Sequence, residues 1–235
     1  KLIGATSHYV TTDLDACGSC ENCLADREQI CKNGTTFTGN WVNDKATGEC
    51  EMRYANGDSF RGEYLNGKKN GFGVYTYRTG TTIEGDFKED KIVGMSQVKY
   101  KNGDSYNGQV NNGLKEGTGN YFYANGDKYS GQWVDDKKSG NGIYTYQATG
   151  DVYEGTWREG VKHGEGVYHF SNGDKYEGGF KDGAKSGMGR FTWKAGEMYE
   201  GEWLNDMMNG NGRIVDKNGE SRRVRFRMNI VDEIE

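Results

Sequence analysis

The chain has 235 residues, of which 33% are hydrophobic and 28% charged, with a formal net charge of −5. So little apolar material argues against a thick two-layer core. The acidic balance argues against a nucleic-acid binder, because phosphate contacts need clustered Lys and Arg. Glycine occurs 38 times and proline not at all, yet 13% of residues are aromatic, including 16 tyrosines and 5 tryptophans. Disordered glycine-rich linkers avoid aromatics and recruit Ser and Pro, so this chain is expected to fold. No stretch approaches the ~20 apolar residues of a bilayer-spanning helix. The opening "KLIGATSHYV" lacks a signal-peptide pattern, and the missing initiator Met leaves room for an earlier segment.

Residues 1–32 form a first segment whose chemistry lies in "CGSCENCLADREQIC", with Cys17, Cys20, Cys23 and Cys31 spaced x2, x2 and x7. Four thiolates this close can surround a tetrahedral zinc ion, and a short loop with no core of its own needs such a staple. Two disulfides in an oxidising compartment, or free thiols, are the alternatives. A structural Zn²⁺ is the reading adopted. The spacing resembles the structural-zinc lobe of medium-chain alcohol dehydrogenases. No nicotinamide-binding βαβ unit follows, so the resemblance implies a metal site without catalysis.

From Asn33 onward the chain repeats. Units begin at Asn33, Asn56, Thr79, Asn102, Asn125, Thr149, Asn172 and Ala195, with a partial ninth at Asn218, and the period is 23 residues except where Ala148 is inserted. Each unit reads strand, turn, strand. Residues 33–217 therefore make eight repeats, and 218–235 a partial repeat and C-terminal cap. In the unit at Asn125, the alternation of a strand puts Tyr129, Gly131 and Trp133 on one side. Gly140, Gly142, Tyr144 and Tyr146 are expected on the same side of the partner strand. Glycines beside aromatics leave room for rings to lie flat across the sheet. The opposite face, with Ser130, Gln132, Asn141, Ile143 and Thr145, is mainly polar. Asn-Gly between units predicts a tight type I′ turn, and "VDDKKS" at 134–139 predicts a longer charged connection within the unit. The fold expected is all-β, an elongated single-layer antiparallel ribbon of repeated hairpins with about 17 strands and a small N-terminal Cys-rich lobe.

The units "NGDKYSGQWVDDKKSGNGIYTY" and "GDVYEGTWREGVKHGEGVYHF" resemble MORN repeats over residues 33 to about 228. The resemblance implies a twisted hairpin ribbon used as an assembly scaffold or protein-binding module in cytoskeletal, ciliary and junctional complexes. It places the protein in the cytoplasm, at the cytoskeleton or at a cilium or flagellar axoneme. A lipid-binding role is also claimed for the family. Several positions depart from the pattern. Ile83 replaces the first aromatic and Ser96 a glycine, Val110 stands where Trp or Tyr is usual, and Cys50 takes a glycine position as a small packed residue. Arg222 and Val224 replace Tyr and Gly at the C-terminal end, where an atypical repeat is expected to cap an open edge.

Catalytic constellations are weak: His8, His163 and His169 are scattered, and the turn carboxylates read as solvated charge. Three functions compete. A non-enzymatic scaffold would bind partner proteins through the aromatic face, with Tyr129, Trp133, Tyr144, Tyr153, Trp157, Tyr168 and Trp203 as candidate contact residues, since aromatics anchor interfaces. A peripheral phospholipid binder would use Lys-rich turns such as "NGKKNG", against the acidic total. A zinc enzyme would rest wholly on the cysteine cluster and lacks a general base and a pocket. The scaffold reading is adopted, with lipid binding as its alternative and no nucleic-acid or transmembrane role.

Overall fold

The computed structural model describes residues 29–30, 34–43 and 45–234. Cys17, Cys20, Cys23 and Cys31 lie outside the described residues. Those described form 19 strands and no helix, two strands more than the repeat count suggests. The chain divides into two compact units, residues 1–114 and 115–235.

The first unit holds β1 (Gln29–Ile30), β2 (Thr36–Val42), β3 (Lys45–Arg53), β4 (Ser59–Leu65), β5 (Lys68–Thr76), β6 (Thr82–Lys88), β7 (Lys91–Lys99) and β8 (Ser105–Asn111). Each pairs antiparallel with its chain neighbour. The second unit runs the same way through β9 (Leu114–Phe122), β10 (Lys128–Val134), β11 (Lys137–Thr145), β12 (Val152–Arg158), β13 (Val161–His169), β14 (Lys175–Lys181) and β15 (Ala184–Thr192). It ends with β16 (Met198–Leu204), β17 (Met207–Val215), β18 (Ser221–Arg227) and β19 (Ile230–Ile234). Each of these meanders is a plain succession of hairpins.

The two turn types are the reverse of the sequence expectation. Asp135 and Asp136 both adopt left-handed φ, 47° and 66°, so "VDDK" is a two-residue type I′ hairpin and not a longer connection. Asn66-Gly67 and Glu159-Gly160 do the same. At the Asn-Gly between repeats, only Gly126 is left-handed, at +90°. Its amide donates to Tyr123 O at 2.9 Å, which makes a type I turn closed by a left-handed glycine.

Within each full repeat the second strand has nine residues against seven, and the difference is absorbed in a bulge. Gly131 faces Gly142, but Gln132 faces Ser139, leaving Gly140 and Asn141 as the extra pair. Gly140 sits at φ +56°, so its role is conformational, and it does not share the ring-covering task assigned to it from the sequence. Gln132 Oε1 accepts a 2.7 Å bond from the Asn141 amide, closing the bulge.

Gly131 and Gly142 do the spatial work. A Cβ on either would stand 2.4–2.5 Å from the Tyr129 hydroxyl oxygen, because that ring lies over both. Tyr129 is fully buried, and its hydroxyl donates to Gln132 O at 2.9 Å, a carbonyl beside the bulge. Tyr153, Tyr176 and Tyr199 repeat this bond to Thr156, Gly179 and Glu202. Trp133 and Trp157 stand edge-on to Tyr129, at centroid separations of 5.1 and 5.2 Å.

The departures follow the same rule. Where the ring is absent at Ile83, Ser96 replaces the second glycine and faces Gly85; where Phe37 replaces tyrosine, Cys50 fits beside it. Burial pushes the Cys50 thiol up to about 11, so it packs as a small apolar group.

Replacing Trp157 by Ala is expected to cost about 3–5 kcal/mol, and Gly142→Ala about 1–3 kcal/mol by overpacking against Tyr129. Urea unfolding checks both. Wild-type stability for Gly142→Ala would mean that the ring does not need the space.

Candidate functional site

Burial divides the aromatic residues into two tracks. Tyr129, Trp133, Tyr153, Trp157 and Trp203 are all at most 6% exposed. Five of the seven contact residues expected from the sequence are thus packed inside the unit. Tyr144 and Tyr168 remain half-buried, and they belong to a second track built from the two aromatics that close each repeat.

That track is continuous in the second unit. Tyr121, Tyr123, Tyr144, Tyr146, Tyr168, Phe170, Phe191 and Trp193 follow one another with centroid separations of 4.5, 5.7, 4.5, 5.9, 4.6, 5.6 and 5.0 Å. Every member is half-buried. Each ring therefore packs on its neighbours while keeping part of its surface open. In the first unit the series is shorter, Tyr54, Tyr75 and Tyr77 at 5.9 and 4.7 Å; Ile83 and Val98 occupy the next paired positions. Sequence reasoning named Tyr144 and Tyr168 but missed Tyr121, Tyr123, Tyr146, Phe170, Phe191 and Trp193 as contact candidates. The available signal was the pair of aromatics two residues apart in "YFY", "YTY", "YHF" and "FTW".

The aspartate of the inter-repeat turn fixes the track. Asp127 accepts the Tyr144 hydroxyl and the Gln147 amide, each at 2.8 Å, and the Asn125 side-chain amide at 3.0 Å. One carboxylate so ties its own turn to the next turn and orients a track ring. Asp58 and Asp151 do the same for Tyr75 and Tyr168. Burial works against the charge on Asp127, but the Gln147, Tyr144 and Asn125 donors outweigh it and hold the carboxyl below its usual range.

A lysine stem runs beneath each stretch of rings. Lys138 Nζ lies 4.3 Å from the Trp157 centroid and 4.8 Å from that of Tyr144, a cation–π arrangement. Lys69, Lys115, Lys162 and Lys185 sit equivalently. The outer lysines of the same turns are neutralised sideways: Lys68 pairs with Glu89 and Lys137 with Glu159.

Among the described residues no group of three or more His, Cys, Asp or Glu is placed to hold a metal. His163 is in β13 with Nδ1 3.9 Å from Asp182. No helix of the described residues is long and apolar enough to cross a membrane.

The model of the MORN repeat matches seven segments, residues 37–59, 60–82, 106–128, 129–148, 153–175, 176–198 and 199–221. The chain belongs to the MORN-repeat family. Seven repeats match where eight complete units were expected; the unmatched stretch between 82 and 106 holds Ile83 and Ser96, where the ring-over-glycine pair is replaced. The matched segments start at residue 37 and do not reach Cys17, Cys20, Cys23 or Cys31, so the zinc-lobe resemblance gains nothing from them. No curated protein sequence matches significantly.

Among solved structures, the TCP10 domain of Danio rerio CPAP, in complex with a peptide of STIL, is 12% identical. The alignment covers 88% of this chain and 91% of that one, with a TM-score of 0.53. The TCP domain of Drosophila melanogaster SAS-4, in complex with a proline-rich motif of Ana2, is 16% identical over 67% of this chain and 85% of that one, with a TM-score of 0.43. At 12% identity the likeness to the CPAP domain is one of fold alone. MORN repeats on an all-β meander point to a structural or interaction role and to a non-enzymatic protein.

Asp127→Ala is expected to destabilise the second unit by about 1 kcal/mol, the net value of a hydrogen bond of this kind. The folded-state pKa values of Asp58, Asp127 and Asp151 are lowered from 3.8, so their contribution is present above about pH 4 and is lost as pH falls through the folded values. Thermal melts from pH 6 to pH 2 should show a smaller acid loss in the variant; equal slopes would remove the aspartate from this role.

Proposed function

We propose that this MORN-repeat chain is an interaction subunit that holds a segment of a partner protein along the half-exposed aromatic track of its second unit. The continuous series from Tyr121 to Trp193 carries the reading. Rings already fixed by stacking and by Asp127 and Asp151 lose little freedom on binding, so their open area is available to a partner at low entropic cost. The five buried aromatics act behind the track as its support, and Tyr144 and Tyr168 remain contact residues.

The cytoplasmic and cytoskeletal location, with assembly into a multi-subunit complex, follows from the family's usual employment and is part of the same proposal. The peptide bound to the CPAP domain of similar fold is in keeping with a protein partner. Binding to phospholipid through the Lys-rich turns is the weaker reading, because Lys68 and Lys137 have their charge matched by Glu89 and Glu159.

Photo-crosslinking in cell extract, followed by mass spectrometry, tests the track. Proteins captured by wild type should drop at least about tenfold with a Tyr146→Ala, Phe170→Ala double variant that melts normally, as for loss of interface anchors. An unchanged set of crosslinked proteins would overturn the reading.

For the N-terminal segment we propose a structural zinc ion on Cys17, Cys20, Cys23 and Cys31, with no catalytic part. Elemental analysis of reduced protein should give one zinc per chain, lost in a Cys20→Ser, Cys23→Ser variant. A mass lower by the hydrogens of two disulfides, with no metal, would replace zinc by bridges.

A further inference from the structure

The lysines beneath the rings are not equivalent. Lys69 Nζ lies 3.7 Å from Asp90 and Lys115 Nζ 2.7 Å from Asp136. Both aspartates are the second residue of the type I′ turn one repeat further on. For Lys138 and Lys162 that position is Gly160 and Gly183, whose amides bond only the lysine carbonyls, each at 2.9 Å. Among the described residues no carboxylate comes within 4 Å of either ammonium.

Both groups keep a cation–π setting. Lys138 Nζ is 4.8 Å from the Tyr144 centroid and Lys162 Nζ is 5.0 Å from that of Tyr168, so each ammonium borders a ring of the half-exposed track. Ring faces replace only part of the solvation a lysine loses on burial. Burial, with Lys162 as a like charge nearby and Asp127 opposing, pushes Lys138 down to about 8. Burial likewise pushes Lys162 down, against the opposing charge of Asp206 and with Lys185 as a like charge nearby. Two adjacent cations in consecutive repeats thus lack a carboxylate in ion-pair contact beside the half-exposed aromatic surface.

Their spacing selects the shape of the missing anion. Lys138 and Lys162 lie on β11 and β13, with one strand between, which sets them about 9.6 Å apart along the track at the usual strand spacing. A polyproline II segment advances about 9.3 Å in three residues, so residues i and i+3 of such a segment fall in step with the two lysines and with the repeat of the rings. A β-extended segment returns to the same face after about 6.8 Å, out of step with both.

We propose that Lys138 and Lys162 form an anchoring pair for an acidic partner segment in the polyproline II conformation, its carboxylates three residues apart and its intervening side chains resting on Tyr144, Tyr146, Tyr168 and Phe170. The proposal rests on the aromatic track being the docking surface. It adds the charge, the conformation and the three-residue spacing of what docks there.

Fluorescence anisotropy on the full chain tests it with three labelled peptides: four Asp-Pro-Pro triplets, the same with Asn for Asp, and six Asp-Pro pairs. The first should bind at least tenfold more tightly than the other two, and its affinity should fall with added salt. A Lys138→Met, Lys162→Met variant keeps the stems under the rings and should lose that tenfold preference, while Lys138→Arg, Lys162→Arg should retain most of it. No binding of the Asp-Pro-Pro peptide, or equal binding of the Asp and Asn peptides, overturns the anchoring pair. If both triplet peptides bind alike and lose affinity together with Tyr146→Ala, Phe170→Ala, the track stands and only the lysine anchor falls. Binding to phosphoinositide vesicles that the methionine variant abolishes, with no peptide binding, would assign the lysines to a lipid headgroup and likewise overturn the proposal.

Discussion

A tyrosine ring laid across two facing glycines is the contact on which each full repeat of the second unit depends. A single sheet has no second layer to cover its face, so the rings must serve as their own cover, and a ring can lie flat only where the strands beneath it carry no Cβ. Tyr129 over Gly131 and Gly142 meets that condition. The bulge that follows presents the Gln132 carbonyl to the tyrosine hydroxyl, so the same residue fills the space and satisfies a polar group. Trp133 and Trp157 then close the edges of the ring, and burial is reached without a second layer.

Once the first aromatic of each repeat is committed to the interior, the closing pair is left for the surface. On the proposed reading, this division of labour separates stability from recognition within 23 residues. Tyr153 supports the sheet, while Tyr168, held by Asp151, faces outward in part. If the outer track is the docking surface, changes on it would alter what is bound with limited damage to the fold, whereas changes on the inner track would damage both.

The sequence made the period, the antiparallel meander and the pairing of glycine with aromatic legible, because each is a matter of residue size at fixed spacing. It did not show which aromatics are inside. Tyr129 and Tyr144 are both tyrosines at strand positions of one face, and they differ only in whether a glycine pair lies beneath the ring, which depends on the register across the bulge at Gly131. That bulge also hid the role of Gly140, which reads like Gly142 in the sequence but is needed for its left-handed φ. The turns were exchanged for a related reason. Asn-Gly is the stronger type I′ signal on paper, but Asp127 bonds to the following turn and holds Asn125-Gly126 in a wider loop. Asp135 and Asp136 accept left-handed φ because a two-residue hairpin fits the twist of β10 and β11.

Contacts in the second unit stay short in sequence: Lys137 reaches Glu159 and Tyr199 reaches Phe226, little more than one repeat away. Loop closure thus costs about the same entropy at every step, and folding can begin at any repeat and spread by nearest neighbours. Gain or loss of a whole 23-residue module in descent would then leave the remaining modules intact while lengthening or shortening the track by one pair of rings. For a segment docked on the track, reach would be quantised by gene duplication, and affinity for long segments could evolve by copying alone.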